Sequence, residues 1–200
     1  MRIALLQYSP EWENKRKNRE KINSLLQKSR KDFSLLILPE LTLTGFTMNS
    51  NEFAEDLQDQ TFHYYAELAE QYNIHIIGGL IEKNIKGIFN TLIHVNPAGK
   101  ISSIYRKIHP FSFAKEDQYY DAGEEISTTT IDEFKIGLSI CYDLRFPELY
   151  RKYGKEKAEL LIVIANWPDK RIEHWRTLLK ARAIENQSYV AGVNRCGEDP

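Results

Sequence analysis

Three reactive polar side chains each close a predicted strand. Glu40 follows the run 35–39, Lys107 ends "ISSIYRK" (101–107), and Cys141 follows "GLSI" in "GLSICYDLRFPELY" (137–150). A cysteine at the tip of a strand, where the chain swings into a helix, meets main-chain N–H groups that lower a thiol pKa. The N–H of Tyr142 is then free to receive an oxyanion. This is the strand–turn–helix logic of a nucleophile elbow, with sulfur in place of oxygen. The plainer alternative is a core cysteine, since free cysteines are among the most buried residues.

A thiol nucleophile needs a base, and there are five histidines to consider. His63 falls on a helix beside aromatics, His75 and His94 within strands, and His174 on a charged helix. Only His109 occupies a loop near the other candidates, where it orders the loop or serves a Cys–His pair that nothing specifies. Glu40, at the carboxyl end of its strand, is the better base. A solvated loop glutamate and an ordinary surface lysine are the bland alternatives for Glu40 and Lys107. Three strands that each end in one reactive side chain favour a site, because α/β folds assemble sites at strand carboxyl ends.

The elements that must position these residues follow from hydrophobic period and punctuation. Strands are predicted over 2–7, 34–39, 74–82, 88–96, 101–107, 126–132, 134–140, 159–166 and 189–194. Helices are predicted over 14–30, 60–72, 146–153 and 170–187. "NPAG" (96–99) has the composition of a hairpin turn, and 108–125 is a long polar and aromatic loop. Helices alternating with apolar strands around a hairpin core give a layered α/β domain. Arg145 suits either a substrate carboxylate or an anchor for the turn. Asn166 and Trp167 suit either a pocket wall or a corner packed by Pro168. Tyr119 and Tyr120 suit loop packing better than a pocket rim, and Asp143 reads as the cap of the helix after Cys141.

Two hundred residues suit a single domain, 1–200, with no repeat or linker. A net charge of −1 argues against a nucleic-acid or membrane-surface face. No stretch approaches a transmembrane span or a signal peptide, and two cysteines are too few for a disulfide framework or zinc site. The chain reads as cytoplasmic.

The stretches "LPELTLTGF" (38–46), "YRKIHPF" (105–111) and "GLSICYDLRFPELYR" (137–151) resemble, in order, the three motifs of the nitrilase, or carbon–nitrogen hydrolase, superfamily. The opening 5–22 and the run 163–195 resemble it too, the latter closest to the omega-amidase branch. The resemblance implies a four-layer α-β-β-α sandwich and an amide hydrolase needing no metal or organic cofactor. Cys141 would be the nucleophile, Glu40 the general base, and Lys107 the group that, with the Tyr142 N–H, steadies the oxyanion. Glu116, on the loop after the lysine, matches the family's second glutamate. The implied partners are a small amide substrate and a second subunit in a homodimer. Ending at "NRCGEDP", the chain is expected to lack the family's closing strands and to leave an apolar face or sheet edge open. Three functions stay open: an omega-amidase, an amidase for another small amide or carbamoyl compound, and a catalytically silent chain.

Overall fold

The runs 35–38 and 160–165 are apolar at every position, so both faces of those strands need cover. The computed structural model, which describes residues 1–30 and 32–198, supplies it with two sheets and the helices outside them. In chain order the elements are β1 (Ile3–Leu5), α1 (Lys15–Lys28), β2 (Leu35–Ile37), α2 (Ser50–Phe53), α3 (Gln60–Tyr72), β3 (His75–Asn84), β4 (Gly87–Val95) and β5 (Ile101–Arg106). They continue with β6 (Thr128–Ile131), β7 (Phe134–Ile140), α4 (Pro147–Lys155), β8 (Leu160–Ala165), α5 (Ile172–Asn186) and β9 (Tyr189–Asn194).

One sheet has the order β1-β2-β3-β4-β5, parallel through β3 and antiparallel from there. The other has the order β6-β7-β8-β9, with β7, β8 and β9 parallel. Alternation along each strand sorts the apolar side chains into layers. Leu35, Ile37, Ile77, Leu92 and Tyr105 pack with Ile136, Leu138, Ile140 and Ile162 between the sheets. Leu36, Leu38, Ile76 and Ile93 turn the other way, onto Ile22 and Leu26 of α1 and Tyr65 and Leu68 of α3. Across the second sheet, Gly137 lies under the Tyr153 ring of α4 and Gly192 under Leu179 and Trp175 of α5. The expected four-layer sandwich is therefore the fold.

The boundaries shift for local reasons. The helix predicted over 146–153 begins at Pro147, whose fixed φ and missing N–H suit a first helical turn. Before it, Cys141–Arg145 coil into a separate 3₁₀ turn. The segment 170–187 likewise divides into a 3₁₀ turn, Asp169–Arg171, and α5. α2 was not visible in the sequence pattern, being a single turn. No helix among the described residues is long and apolar enough to cross a membrane.

Between the sheets, His94 is fully buried. One ring nitrogen pairs with Thr129 Oγ1 at 2.7 Å and the other with His75 Nδ1 at 2.8 Å. Burial, and then the neighbouring His75, lower its pKa to about 4. Burial lowers that of His75 as well, against the opposing pull of Asp132. An unfolded histidine protonates near pH 6.5, so between about 6.5 and 4 the unfolded state binds the extra proton. Stability from this group is whole above pH 6.5 and is lost as the pH falls towards 4. Urea unfolding should show a loss of about 2 kcal/mol between pH 7.5 and 5. His94→Gln should flatten that slope, and an unchanged slope in the variant would remove His94 from the explanation.

Candidate active site

Glu40 reaches the centre of the sandwich because the chain after β2 folds over β3 at a glycine. Thr42 N–H donates to the Gly79 carbonyl at 3.1 Å, and Gly79 N–H donates to Thr42 Oγ1 at 3.2 Å. Tyr65 OH donates to the same carbonyl at 2.9 Å from the helical side. A Cβ at Gly79 would stand 2.5 Å from the Leu41 nitrogen and 3.0 Å from the Glu40 Cα. The missing side chain is thus what lets the Glu40 backbone lie against the strand.

Lys107, one residue beyond β5, meets Glu40 there. Its Nζ donates to Glu40 Oε1 at 2.9 Å and to both Glu116 oxygens at 3.0 and 2.9 Å. All three side chains are no more than 1% exposed. Glu40 Oε2 accepts the Asn166 N–H at 2.7 Å, tying the end of β8 to the end of β2. Asn166 Nδ2 also donates to the Glu40 carbonyl at 2.8 Å. Glu116 Oε2 accepts the Phe111 N–H at 2.6 Å, which folds the loop after Lys107 back onto the site.

Cys141 stands at the end of β7 with φ of +47°, a left-handed conformation that side-chain-bearing residues adopt at a cost of roughly 1–3 kcal/mol. Its surroundings hold it there. The Asp143 carboxylate accepts the Ile140 N–H at 3.0 Å, the Tyr105 hydroxyl at 2.8 Å and the His109 N–H at 3.0 Å. From α5 the buried guanidinium of Arg182 donates twice to the Leu144 carbonyl, at 3.1 and 2.7 Å. The strand–turn–helix elbow expected at Cys141 is present, with a 3₁₀ turn as its middle part. Asp143 does not cap α4; it braces the turn from inside.

The electrostatics correct one expectation. The pKa of the buried Cys141 thiol is pushed well up, first by burial and then by the Glu40 charge, against the pull of Lys107. The thiol is therefore protonated at rest, because its own burial, with the Glu40 charge added, outweighs the peptide dipoles of one short turn. Burial alone would lower the pKa of Lys107, yet the charges of Glu116 and Glu40 prevail and hold it well above the usual range. Lys107 stays an ammonium ion.

Cys141 opens onto a groove of ≈ 1120 Å³ that Tyr142, Arg145, Asn166 and Trp167 also line. Arg145 lies over the Trp167 ring, 4.9 Å from its centre, with one guanidinium nitrogen 3.2 Å from His174 Nδ1. His109 is elsewhere: it stacks on Phe146 at 3.7 Å and pairs with Asp143, so it orders its loop. Tyr120 is buried with its hydroxyl on the Thr47 carbonyl at 2.6 Å, as loop packing requires. Three participants escaped the sequence reading. Arg171, over the rings of Phe111 and Phe113, lines the groove. Arg182 supports the elbow, and Asn90, from β4, donates to both Glu40 and Glu116. The only sequence signal for Asn90 was an amide inside a strand covered on both faces.

A family model described as carbon-nitrogen hydrolase matches residues 2–200. The chain is 35% identical over 201 residues to a Bacillus subtilis (strain 168) protein named 2-oxoglutaramate amidase, covering 99% of this chain and 77% of that one. It is 37% identical over 203 residues to a Yersinia enterocolitica protein named omega-amidase YafV, covering 100% of this chain and 76% of that one. Among solved structures, XC1258 from Xanthomonas campestris is described as a CN-hydrolase superfamily protein with an arsenic adduct in its active site. It matches with a TM-score of 0.94 at 36% identity, over 100% of this chain and 77% of that one. Saccharomyces cerevisiae Nit3, described as a member of branch 10 of the nitrilase superfamily, matches with a TM-score of 0.89 at 27% identity, over 99% and 76%.

The contact at Gly79 gives a test of how Glu40 is placed. Gly79→Ala should force the Glu40 backbone off β3 and destabilise the protein by about 1–3 kcal/mol. Activity measured well below the melting temperature should also fall. Loss of stability with full activity in the folded fraction would show that Glu40 does not depend on this approach.

Proposed function

The chain belongs to the carbon–nitrogen hydrolase family, and on that premise we propose that it releases ammonia from the terminal amide of a short dicarboxylate monoamide such as 2-oxoglutaramate. The observation that carries the reading is the buried Cys141 thiol at the end of β7, close enough to Glu40 to feel its charge, with Glu40 itself held by an ammonium ion. The names of the Bacillus and Yersinia relatives support the substrate class.

Since the thiol is neutral at rest, its proton passes to Glu40 as sulfur attacks the amide carbon. Glu40 then gives that proton to the departing nitrogen; ammonia leaves, and a thioester remains on Cys141. Water, deprotonated by the same carboxylate, attacks the thioester, and the acid departs as the thiol recovers its proton. Acid–base help of this kind is typically worth about 10²–10⁴ in rate. Lys107 and the Tyr142 N–H receive the oxyanion in both halves, where loss of one donor costs on the order of 10²–10³. Glu116 orients Lys107 by taking it with both oxygens. Arg145, held flat by Trp167, takes the remote carboxylate; among the described residues no carboxylate pairs with it.

Cys141→Ala should abolish ammonia release with the fold intact, while Cys196→Ala keeps most of it. Glu40→Gln and Lys107→Met should each nearly eliminate turnover. Equal losses from the two cysteine variants would mean the sulfur at 141 is not special. A damaging His109→Ala beside a mild Glu40→Gln would favour a Cys–His mechanism.

A panel of acidic and neutral amides tests the substrate class. Losing a hydrogen bond to a charged group costs about 1.5–3 kcal/mol, so Arg145→Gln should weaken acidic amides roughly 10- to 100-fold and neutral ones little. A uniform loss across the panel would return Arg145 to a purely structural role.

A further inference from the structure

Two carboxylates, Glu40 and Glu116, crowd a single ammonium group, that of Lys107, in a buried place. Asn90 is the neutral group that meets both carboxylates. Its single Nδ2 donates to Glu40 Oε1 at 2.8 Å and to Glu116 Oε1 at 2.9 Å, the very oxygens that Lys107 also binds. The residue is 1% exposed, and its main-chain carbonyl accepts the Lys107 N–H at 2.9 Å. One residue thus touches all three charged members of the cluster. The amide orientation follows from charge, because the opposite flip would set Oδ1 against two acceptor oxygens. In the orientation adopted, Oδ1 is buried without a partner. An orphaned acceptor is unfavourable, and it persists here because two charge-assisted hydrogen bonds on the same amide outweigh it.

We propose that Asn90 is a positioning residue that keeps Glu40 and Glu116 ionised together, so that Glu40 is free to take the thiol proton. Without its two N–H bonds, the simplest relief for the crowded carboxylates is to bind a proton. A protonated Glu40 is no base. The role rests on the amidase reading only through Glu40 as the acceptor of the Cys141 proton.

The test uses Asn90→Ala and Asn90→Ser in Cys196→Ala protein, where Cys141 is the remaining thiol. Two pH profiles are measured on each: kcat/KM for the amide, and the rate of Cys141 alkylation by iodoacetamide. In Asn90→Ala the lower inflection of both should move up by roughly one to two pH units, with KM changed less than about threefold. Asn90→Ser, which keeps one donor, should fall between. A structural role would lower the melting temperature and leave the inflections in place, and that result overturns the proposal. So does a parent profile with no lower inflection, or failure of both variants to fold. If the parent turns over no amide, the amidase reading falls and the alkylation profile alone decides the role of Asn90.

Discussion

Lys107 keeps its positive charge in a place without water because Glu40 and Glu116 close on its ammonium group at 2.9–3.0 Å. Stripping water from three charges is unfavourable by several kcal/mol for each, and their attraction offsets it only when the geometry is fixed and the spare lone pairs are occupied. That condition shapes the neighbourhood. The Asn166 N–H, the Phe111 N–H and the Asn90 amide fill the remaining sites on the two carboxylates, and each arrives from a different part of the chain. Remove one of them and a buried anion is left short of donors. The cluster therefore holds together the ends of β2, β5 and β8 and the loop after β5 as much as it equips them for chemistry.

The elbow is held by a second set of bonds. Asp143 ties the end of β7 to Tyr105 of the first sheet and to His109 beyond Lys107. Arg182 fixes the far end of the same turn from the helical layer. The unfavourable φ of Cys141 is thus supported from both sides of the second sheet, and the thiol is aimed without needing contacts of its own. Two tasks are thus separated around the cysteine. Its position comes from Asp143 and Arg182, while the charge of Glu40 reaches it from the opposite sheet.

Much of this was legible in the sequence, for a physical reason. Strands buried on both faces are written as unbroken apolar runs, so a charged side chain that ends one is conspicuous. Glu40 stood out in this way, Cys141 as a thiol at the end of a similar run and Lys107 at the end of a more mixed strand, and the alternation of runs and helices pointed to the layered fold. Glu116 became visible only through the family resemblance, since a glutamate in a polar loop carries no local signal. Asn90 and Arg182 lay hidden inside elements whose pattern they do not disturb. The direction of the Cys141 pKa was misread because sequence shows the turn beside the thiol but neither its burial nor the carboxylate that folding brings near it. Helix ends near Pro147 and Asp169 moved because 3₁₀ turns share their composition with helix starts.

The bond between Glu40 Oε2 and the Asn166 N–H joins residues separated by 126 positions. Seen from the ribosome, that span is a delay. At roughly 5–20 residues per second, Asn166 emerges roughly ten seconds after Glu40, and Cys141 also comes late. During that interval Glu40 lacks the Asn166 donor, and for most of it Cys141 is not yet part of the chain. The groups around Glu40 come from both sheets, so the full set is assembled only once both sheets are in place. The surroundings of Glu40 are therefore a property of the finished fold and not of the segment that carries it.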